Sequence, residues 1–441
     1  LFDLDGRYIA ELVRQEVISR YGLSAYIDGL SVFTTIQSPL QRAAIQSVQK
    51  NLFDYDKRHG WRKPINYSAQ LDLQVFNQLA RGNLNILQQE YSELDALGMK
   101  QSLISIFREI FSQSTNLDSH LKAIVIDIKP ERVVYLGDDF SLQTLIWSDN
   151  YQWARRRITI NSFGPKPQNF YDILKIGDLI YLQDSVSGKT LDQLPEAEVA
   201  FVASNPSTGA ILSYQGGFNF SKSNFDRVRQ SFPQAGSSFK PFIYSAAMAN
   251  GYKASDIIND APIIFEDQNL ESAWRPENYT GKFYGPIRLR EALVQSVNIV
   301  SIKLLRELGI NKAHTFLESF GFPKSRLAPD LSLALGSSSF SPAEMIRAYN
   351  FLANSGEGQN LYFIEKIIDK DNNIIFQHPH AQPELDDTKS LDGFPWFTEE
   401  LIEEIQPFDL LPKLNKKNTS IDSKIAFITK DILREAIQRG S

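Results

Sequence analysis

Gly236-Ser237-Ser238-Phe239-Lys240-Pro241 sets a serine three positions ahead of a lysine, with a proline directly behind it. On a helix, residues three apart share a face, so an amine comes within reach of a hydroxyl. A serine nucleophile that has no histidine beside it needs such an amine as its base. Proline is tolerated only in the first helical turn, where backbone N–H groups lack helical partners, so Pro241 predicts a helix start near Ser237. Those free N–H groups and the positive end of the helix dipole would then sit where an oxyanion forms. A desolvated Lys240 would have a lowered pKa and could take the serine proton. The same residues also suit an N-capping serine beside a solvated lysine, and the motif alone does not choose between the two.

Ser-x-x-Lys recurs at Ser47/Lys50 and Ser119/Lys122. The first pair lies in an amphipathic helical stretch with no second polar element. The second straddles the entry to a strand, where three-residue spacing does not align side chains. Further along, Ser296-Val297-Asn298 supplies another hydroxyl and an amide. Ser-x-Asn also occurs at Ser114/Asn116 and Ser148/Asn150, so the pattern is weak by itself. Residues two apart diverge on a continuous helix, so Ser296 and Asn298 can reach one cleft only from a loop between helices. Capping of the helix from Ile299 is the competing reading.

Around these motifs the chain changes texture. Helical spacing over 8–17 and 40–52 flanks a strand-like Leu30–Ile36, and the run from Leu71 to Phe111 is mostly helical with a break near Gly98. Short strands at 121–127, 132–136 and 178–182 suggest a small barrel of OB type. Segments 198–204 and 210–216 around Asn205-Pro206-Ser207-Thr208-Gly209 predict a hairpin. Helices follow at 241–250, 289–295, 299–308, 342–354 and 428–438, while acidic, proline-bearing 381–410 reads as a surface insertion. Strands followed by a helical block give an α+β domain.

Composition excludes several classes. With no cysteine among 441 residues, disulfides, thiol nucleophiles and cysteine zinc sites are ruled out. A formal charge of −6 argues against nucleic acid as the main partner. Tyr151-Gln152-Trp153-Ala154-Arg155-Arg156-Arg157 mixes aromatic and basic groups as stacking platforms do. A single such cluster in an acidic chain reads better as a solvated strand edge. His378-Pro379-His380 is expected to be a solvated turn, and neither a metal nor a cofactor is expected. No run of about 18 apolar residues occurs. The acidic start Leu1-Phe2-Asp3-Leu4-Asp5 lacks the basic opening of a signal peptide, so the chain reads as a piece excised from a longer protein.

Taken together, the sequence resembles the penicillin-binding proteins, most closely the class A, high-molecular-mass, bifunctional type with an inserted OB-fold domain. The resemblance is carried by Gln234–Phe242, Trp274-Arg275-Pro276-Glu277-Asn278-Tyr279, Arg290-Glu291-Ala292-Leu293 leading into Ser296-Val297-Asn298, Leu333-Ala334-Leu335-Gly336, and Asp56-Lys57-Arg58-His59-Gly60-Trp61-Arg62. It implies an α+β transpeptidase domain of the penicillin-binding-protein and serine β-lactamase kind, an antiparallel sheet with a helical subdomain. It further implies a linker region over 1–68, an OB-like domain with a helical lead-in over 69–195, and the transpeptidase domain over 196–441. The implied activity is D,D-transpeptidation of peptidoglycan stem peptides, with a D-Ala-D-Ala donor and an amine acceptor. Ser237 would be the nucleophile, Lys240 its base, Ser296 a proton relay to the leaving D-Ala, and Asn298 a hydrogen-bonding partner of the substrate backbone. β-Lactam antibiotics would acylate Ser237. The OB-like domain would serve as a protein-interaction or spacer module. The setting implied is the periplasmic side of a bacterial inner membrane, with a glycosyltransferase domain and anchor outside these residues. The family's Lys-Thr-Gly or Lys-Ser-Gly motif does not occur here, and the helix near Gln438 resembles the one that precedes it. The expectation is therefore a chain that stops short of that motif and leaves the hairpin with too few strand partners. A D,D-carboxypeptidase or β-lactamase-like hydrolase is the enzymatic alternative. A catalytically silent scaffold that binds peptidoglycan or partner proteins is the other.

Overall fold

The computed structural model describes residues 6–69, 98–117, 119–159, 161–185, 188–263, 275–380, 411, 413–414 and 420–440. The expected insertion over 381–410, the helical pattern over 71–97 and Trp274 lie outside the described residues. Two compact units are formed. One gathers Leu1–Ile45, Ala200–Gly216 and Phe225–Ser441, and the other Gln46–Val199 with Gly217–Asn224. The chain opens with helix α1 (Arg7–Tyr21), strand β1 (Ser31–Thr34) and helix α2 (Ser38–Arg58). Helix α1 buries Tyr8, Ile9, Leu12 and Val17, the one-sided stripe expected of a helix lying on a core.

The second unit comprises α3 (Gly98–Gln113), β2 (His120–Lys129), β3 (Arg132–Gly137), β4 (Leu142–Ile146), a short ribbon of β5 (Arg157–Thr159) and β6 (Ser162–Phe163), then β7 (Leu179–Ser185) and β8 (Gly188–Asp192). Five of these strands pair antiparallel in the order β4-β3-β2-β7-β8. The two-residue period of β2 divides its side chains between two cores. Ile124 and Ile126 meet Phe107, Ile110 and Phe111 of α3, while Ala123 and Val125 meet Trp61, Tyr135, Tyr151 and Phe170 on the other face. The motif around Trp61 is structural here. Trp61 Nε1 donates to Ile173 O at 2.9 Å, Arg62 pairs with Asp56 at 2.6 Å, and Gly60 holds φ 84° where a Cβ would strike Arg155 O. The aromatic-basic cluster is not the solvated edge expected from sequence. Tyr151 is buried, Trp153 packs edge-on against Trp61, and Arg157 pairs with Glu196. A side chain that fills the core cannot also stack bases, which removes the feature that suggested nucleic acid.

The first unit continues with a hairpin of β9 (Phe201–Ser204) and β10 (Ile211–Gln215), then α4 (Lys240–Ala249), β11 (Ile257–Asp260), β12 (Gly285–Arg288), α5 (Leu289–Val294), α6 (Asn298–Leu308), α7 (Ile310–Leu317), α8 (Pro342–Ala353), β13 (Ile364–Ile368), β14 (Ile374–Gln377) and α9 (Ser423–Arg439). Among the described residues the hairpin is a sheet of two strands only, as expected, and single bonds tie it to the rest of the unit. Thr35 Oγ1 donates to Ile211 O at 2.6 Å, Gln37 N to Leu212 O at 2.9 Å, and Ile211 N to Tyr362 O at 2.9 Å. These anchors continue from β1 and β13, which pair with each other, so the chain's first strand helps to close its late sheet. His378 departs from the solvated turn as well. It stacks on Tyr362 with ring centroids 3.4 Å apart, and burial pushes its pKa down to about 4.

Helix α4 is the centre of this unit. Lys240 through Ala247 are all buried and, apart from the lysine and Ser245, present no strongly polar group, as a helix enclosed by its neighbours must. Phe239 and Phe242 pack among Phe320, Phe322 and Phe340, and the buried Ser245 Oγ bonds Thr429 Oγ1 of α9 at 2.9 Å. Lys240 therefore rises from the most enclosed helix of the unit.

Candidate active site

Ser237 lies in a single 3-10 turn, Gly236–Phe239, that runs straight into α4. The α-helix begins at Lys240, three residues later than Pro241 alone suggested, with the proline still in its first turn. Neither the turn nor α4 takes a side-chain cap from Ser237. Its neighbour Ser238 is already engaged, donating from Oγ to Ala235 O at 2.5 Å. The N-cap reading of Ser237 therefore has no bond behind it. Ser237 is exposed, and among the described residues its hydroxyl bonds to nothing.

The turn is clamped from behind by groups far away in sequence. Gly236 N donates to Gly336 O at 2.9 Å, Ala235 N to Ser338 O at 3.0 Å, and Tyr349 OH to Ser238 O at 2.6 Å. Gly336 holds φ 73°, and a Cβ there would fall 1.9 Å from Gly236 O. Gly336→Ala thus combines a left-handed backbone penalty of about 1–2 kcal/mol with a clash against the turn that carries Ser237. We expect it to lower the melting temperature, which melting curves of the parent and the variant check.

Lys240 is 1% exposed. Its Nζ donates to Ser296 O at 2.5 Å, meets Ser296 Oγ at 3.0 Å, and donates to Asn298 Oδ1 at 2.7 Å. Burial alone lowers its pKa, to about 8, and no carboxylate opposes the shift. Two of the three partners, a backbone carbonyl and an amide oxygen, can only accept. The third is a hydroxyl, which can also donate. Nζ thus lies within donating distance of three acceptors, two of them obligate and the third a hydroxyl whose role can reverse. The sequence reading put this amine on Ser237; the structure puts it on Ser296 and Asn298. The cause is geometric: Lys240 points into the core as the first residue of α4, toward the nearest acceptors, while Ser237 stays on the open side of the turn.

Ser296 lies in the link between α5 and α6, whereas Asn298 is the first residue of α6 and not a loop residue as its spacing suggested; the bend at the helix start still lets both reach Lys240. Ser296 sits at φ 51°, a left-handed conformation that a serine adopts at a cost of about 1–3 kcal/mol. The loop is held by Val297 N donating to Ala292 O at 2.8 Å and Ser296 N donating to Leu293 O at 3.1 Å. Arg290 and Glu291 of α5 are in turn latched to Asp431, Glu435 and Arg439 of α9 by ion pairs. Neither Ser296 nor Asn298 caps α6, contrary to the competing reading. The Asn298 amide is oriented from both ends, its Oδ1 accepting from Lys240 and its Nδ2 donating to Glu277 O at 2.9 Å. Sequence reasoning gave no role to Tyr349, Gly336 or Asn278. The last two stand inside quoted motifs, which was the one available signal. Among the described residues no group of three or more His, Asp or Glu side chains is arranged to hold a metal ion.

Compared with known proteins, residues 199–441 match the penicillin-binding protein transpeptidase domain, and residues 92–197 the penicillin-binding protein OB-like domain. Penicillin-binding protein 1A of Pseudomonas aeruginosa is 39% identical over 376 residues, covering 85% of this chain and 42% of the relative. That of Escherichia coli is 36% identical over 378 residues, covering 86% of this chain and 41% of the relative. A crystal structure of penicillin-binding protein 1A from Haemophilus influenzae superposes with a TM-score of 0.74 at 30% identity, over 99% of this chain and 58% of the other. The chain thus spans less than half the length of these curated relatives.

Proposed function

The chain belongs to the penicillin-binding proteins that carry the transpeptidase domain, and from that premise we propose that it is a serine D,D-transpeptidase acting through an acyl-enzyme on Ser237. One observation carries the reading: a buried amine with no carboxylate counterion, resting on two obligate acceptors, one turn from an unengaged serine at the surface.

With a pKa near 8, roughly one Lys240 in ten is neutral at pH 7. In the proposed mechanism Ser237 Oγ attacks the carbonyl of the penultimate D-Ala in a stem peptide. Its proton passes to Lys240 Nζ, and catalytic hydrogen bonds of this kind often close only in the substrate complex. The Ser296 hydroxyl, 3.0 Å from Nζ, gives a proton to the departing D-Ala amine and recovers one from the ammonium. Asn298 keeps a second N–H on Nδ2 for the substrate's backbone. An amine on a neighbouring stem peptide then takes the acyl group, which cross-links the two strands and frees Ser237. A β-lactam offers a strained amide in place of the D-Ala-D-Ala bond and leaves Ser237 acylated. The proposed setting is the periplasmic face of a bacterial inner membrane, in a protein that also bears a glycosyltransferase, and the OB-like domain is proposed to act as a protein-interaction or spacer module.

Transfer and hydrolysis differ in whether an amine or water takes the acyl group. A stem-peptide donor incubated with the intact protein, with and without an acceptor amine, distinguishes them by product analysis. We expect cross-linked product to predominate once acceptor is present. Predominant free acid despite acceptor would establish the hydrolase reading instead.

A further inference from the structure

The N-terminus of α6 presents free backbone N–H groups, which a serine or asparagine beside them ordinarily satisfies. Here the residue in the capping position is Val297, which has no acceptor in its side chain. The two polar neighbours that could cap the helix are turned elsewhere, Ser296 Oγ to the Lys240 amine and Asn298 between that amine and Glu277 O. The cap comes from twenty residues upstream. Asn278 Oδ1 accepts from Asn298 N at 3.0 Å and from Ile299 N at 3.2 Å.

What fixes the Asn278 amide is a buried carboxylate. Asn278 Nδ2 donates to both oxygens of Asp260 at 3.0 Å, and to Lys282 O at 2.9 Å. Asp260 is 0% exposed, closes β11, and also accepts from Tyr284 N at 2.8 Å. A carboxylate can only accept, so it dictates which end of the amide faces it and aims the other at α6. Asn278 is 6% exposed, with its donors and acceptor all engaged. Its predecessor Glu277 supplies the carbonyl that orients Asn298. We infer that Asn278, held by Asp260, is a positioning residue for acylation: it caps α6 from a distance and so leaves Ser296 Oγ and Asn298 Oδ1 free to hold the Lys240 amine.

This inference rests on the Ser237 acylation reading, and its test keeps the two apart. The intact protein, Asn278→Asp, Asn278→Ser and the exchange Asp260→Asn/Asn278→Asp are compared for rate of labelling by a fluorescent penicillin across about pH 6 to about pH 10, each with a melting curve. Asn278→Asp sets two carboxylates against each other and should slow labelling about 100-fold, the scale of an ångström misplacement. As α6 loosens and water reaches Lys240, whose neighbourhood contains no carboxylate that shifts it, the labelling midpoint should move up from about 8 toward the ordinary lysine range. In the exchange, the carboxylate now at position 278 would accept from α6 and the amide now at position 260 would donate to it. Labelling should then recover at least about tenfold relative to Asn278→Asp, short of the parent because Lys282 O loses its donor. Asn278→Ser, which cannot reach both sides, should behave as Asn278→Asp does and serves if that variant does not fold. Folded Asn278 variants that label at the parental rate with the parental midpoint overturn the inference. So does a lowered melting temperature with rate and midpoint unmoved, or an exchange no faster than Asn278→Asp. A parent protein that is not labelled at Ser237 overturns the acylation reading itself, and the inference with it.

Discussion

Ser237→Ala abolishes covalent labelling by penicillin and leaves the fold as it was. The two halves of this expectation rest on different facts. The side chain is exposed and bonds to nothing among the described residues, so removing its oxygen should change stability by no more than about 0.5 kcal/mol. A capping serine would instead cost about 1 kcal/mol, which a melting curve resolves. The chemistry has no substitute nearby. Ser238 Oγ is bonded to Ala235 O, and Ser296 Oγ is engaged by the Lys240 amine. Peptide mapping of the labelled parent should place the adduct on Ser237. Labelling that survives the substitution, or an adduct on Ser296, would contradict this.

Lys240→Met should be nearly as damaging to acylation, by about 10²–10⁴-fold, the range attributed to a positioned general base. Its effect on stability is the more instructive part. A fall in pKa from 10.5 to about 8 means that the folded state disfavours the ammonium by about 3 kcal/mol. The folded pKa is lowered, so that cost is present in full below about pH 8. It is relieved as pH rises toward the unfolded value, because there the unfolded chain holds a proton that the folded one has released. Methionine removes the cost along with three hydrogen bonds worth about 1 kcal/mol each, so the two changes nearly offset. An inactive protein with nearly parental melting at pH 7, whose stability no longer rises above pH 8, is the expected result. A large loss of stability with acylation intact would mean that the lysine is only structural.

The parts of this protein that could be read from sequence are those whose determinants are local. The strands at 121–127 and 132–136, the placement of Pro241 in a first helical turn and the position of Ser296 between two helices follow from periodicity, proline geometry or spacing, and the structure has each of them, though α4 starts later than expected and Asn298 belongs to α6. Helix α7 was missed because Gly309 marks the end of α6, yet its φ of 87° lets the chain turn at once into another helix. Strands β11 and β12 carry too little alternation to announce themselves, and they pair across a long excursion. The pairing of β1 with β13 joins opposite ends of the chain, so no window of sequence contains it.

At the site the division is the same. Ser237 and Lys240 were singled out because they stand three apart just ahead of a proline. The Gly336 backbone that backs their turn is distant in sequence, and the cap that releases Ser296 and Asn298 from helix duty comes from Asn278. Sequence also misjudged the resting partner of the amine. It weighed the serine one turn away, whereas a buried donor takes whatever acceptors the fold delivers, here from the link into α6 and that helix's first residue.

The pH dependence of acylation tests most directly the claim that a desolvated lysine amine, and no other group, prepares Ser237 for attack. Labelling rates measured under single-turnover conditions should rise about tenfold per pH unit below a midpoint near 8, level off above it, and lose that midpoint in Lys240→Met. A flat profile, or the same midpoint persisting without the lysine, would show that Lys240 is not the base.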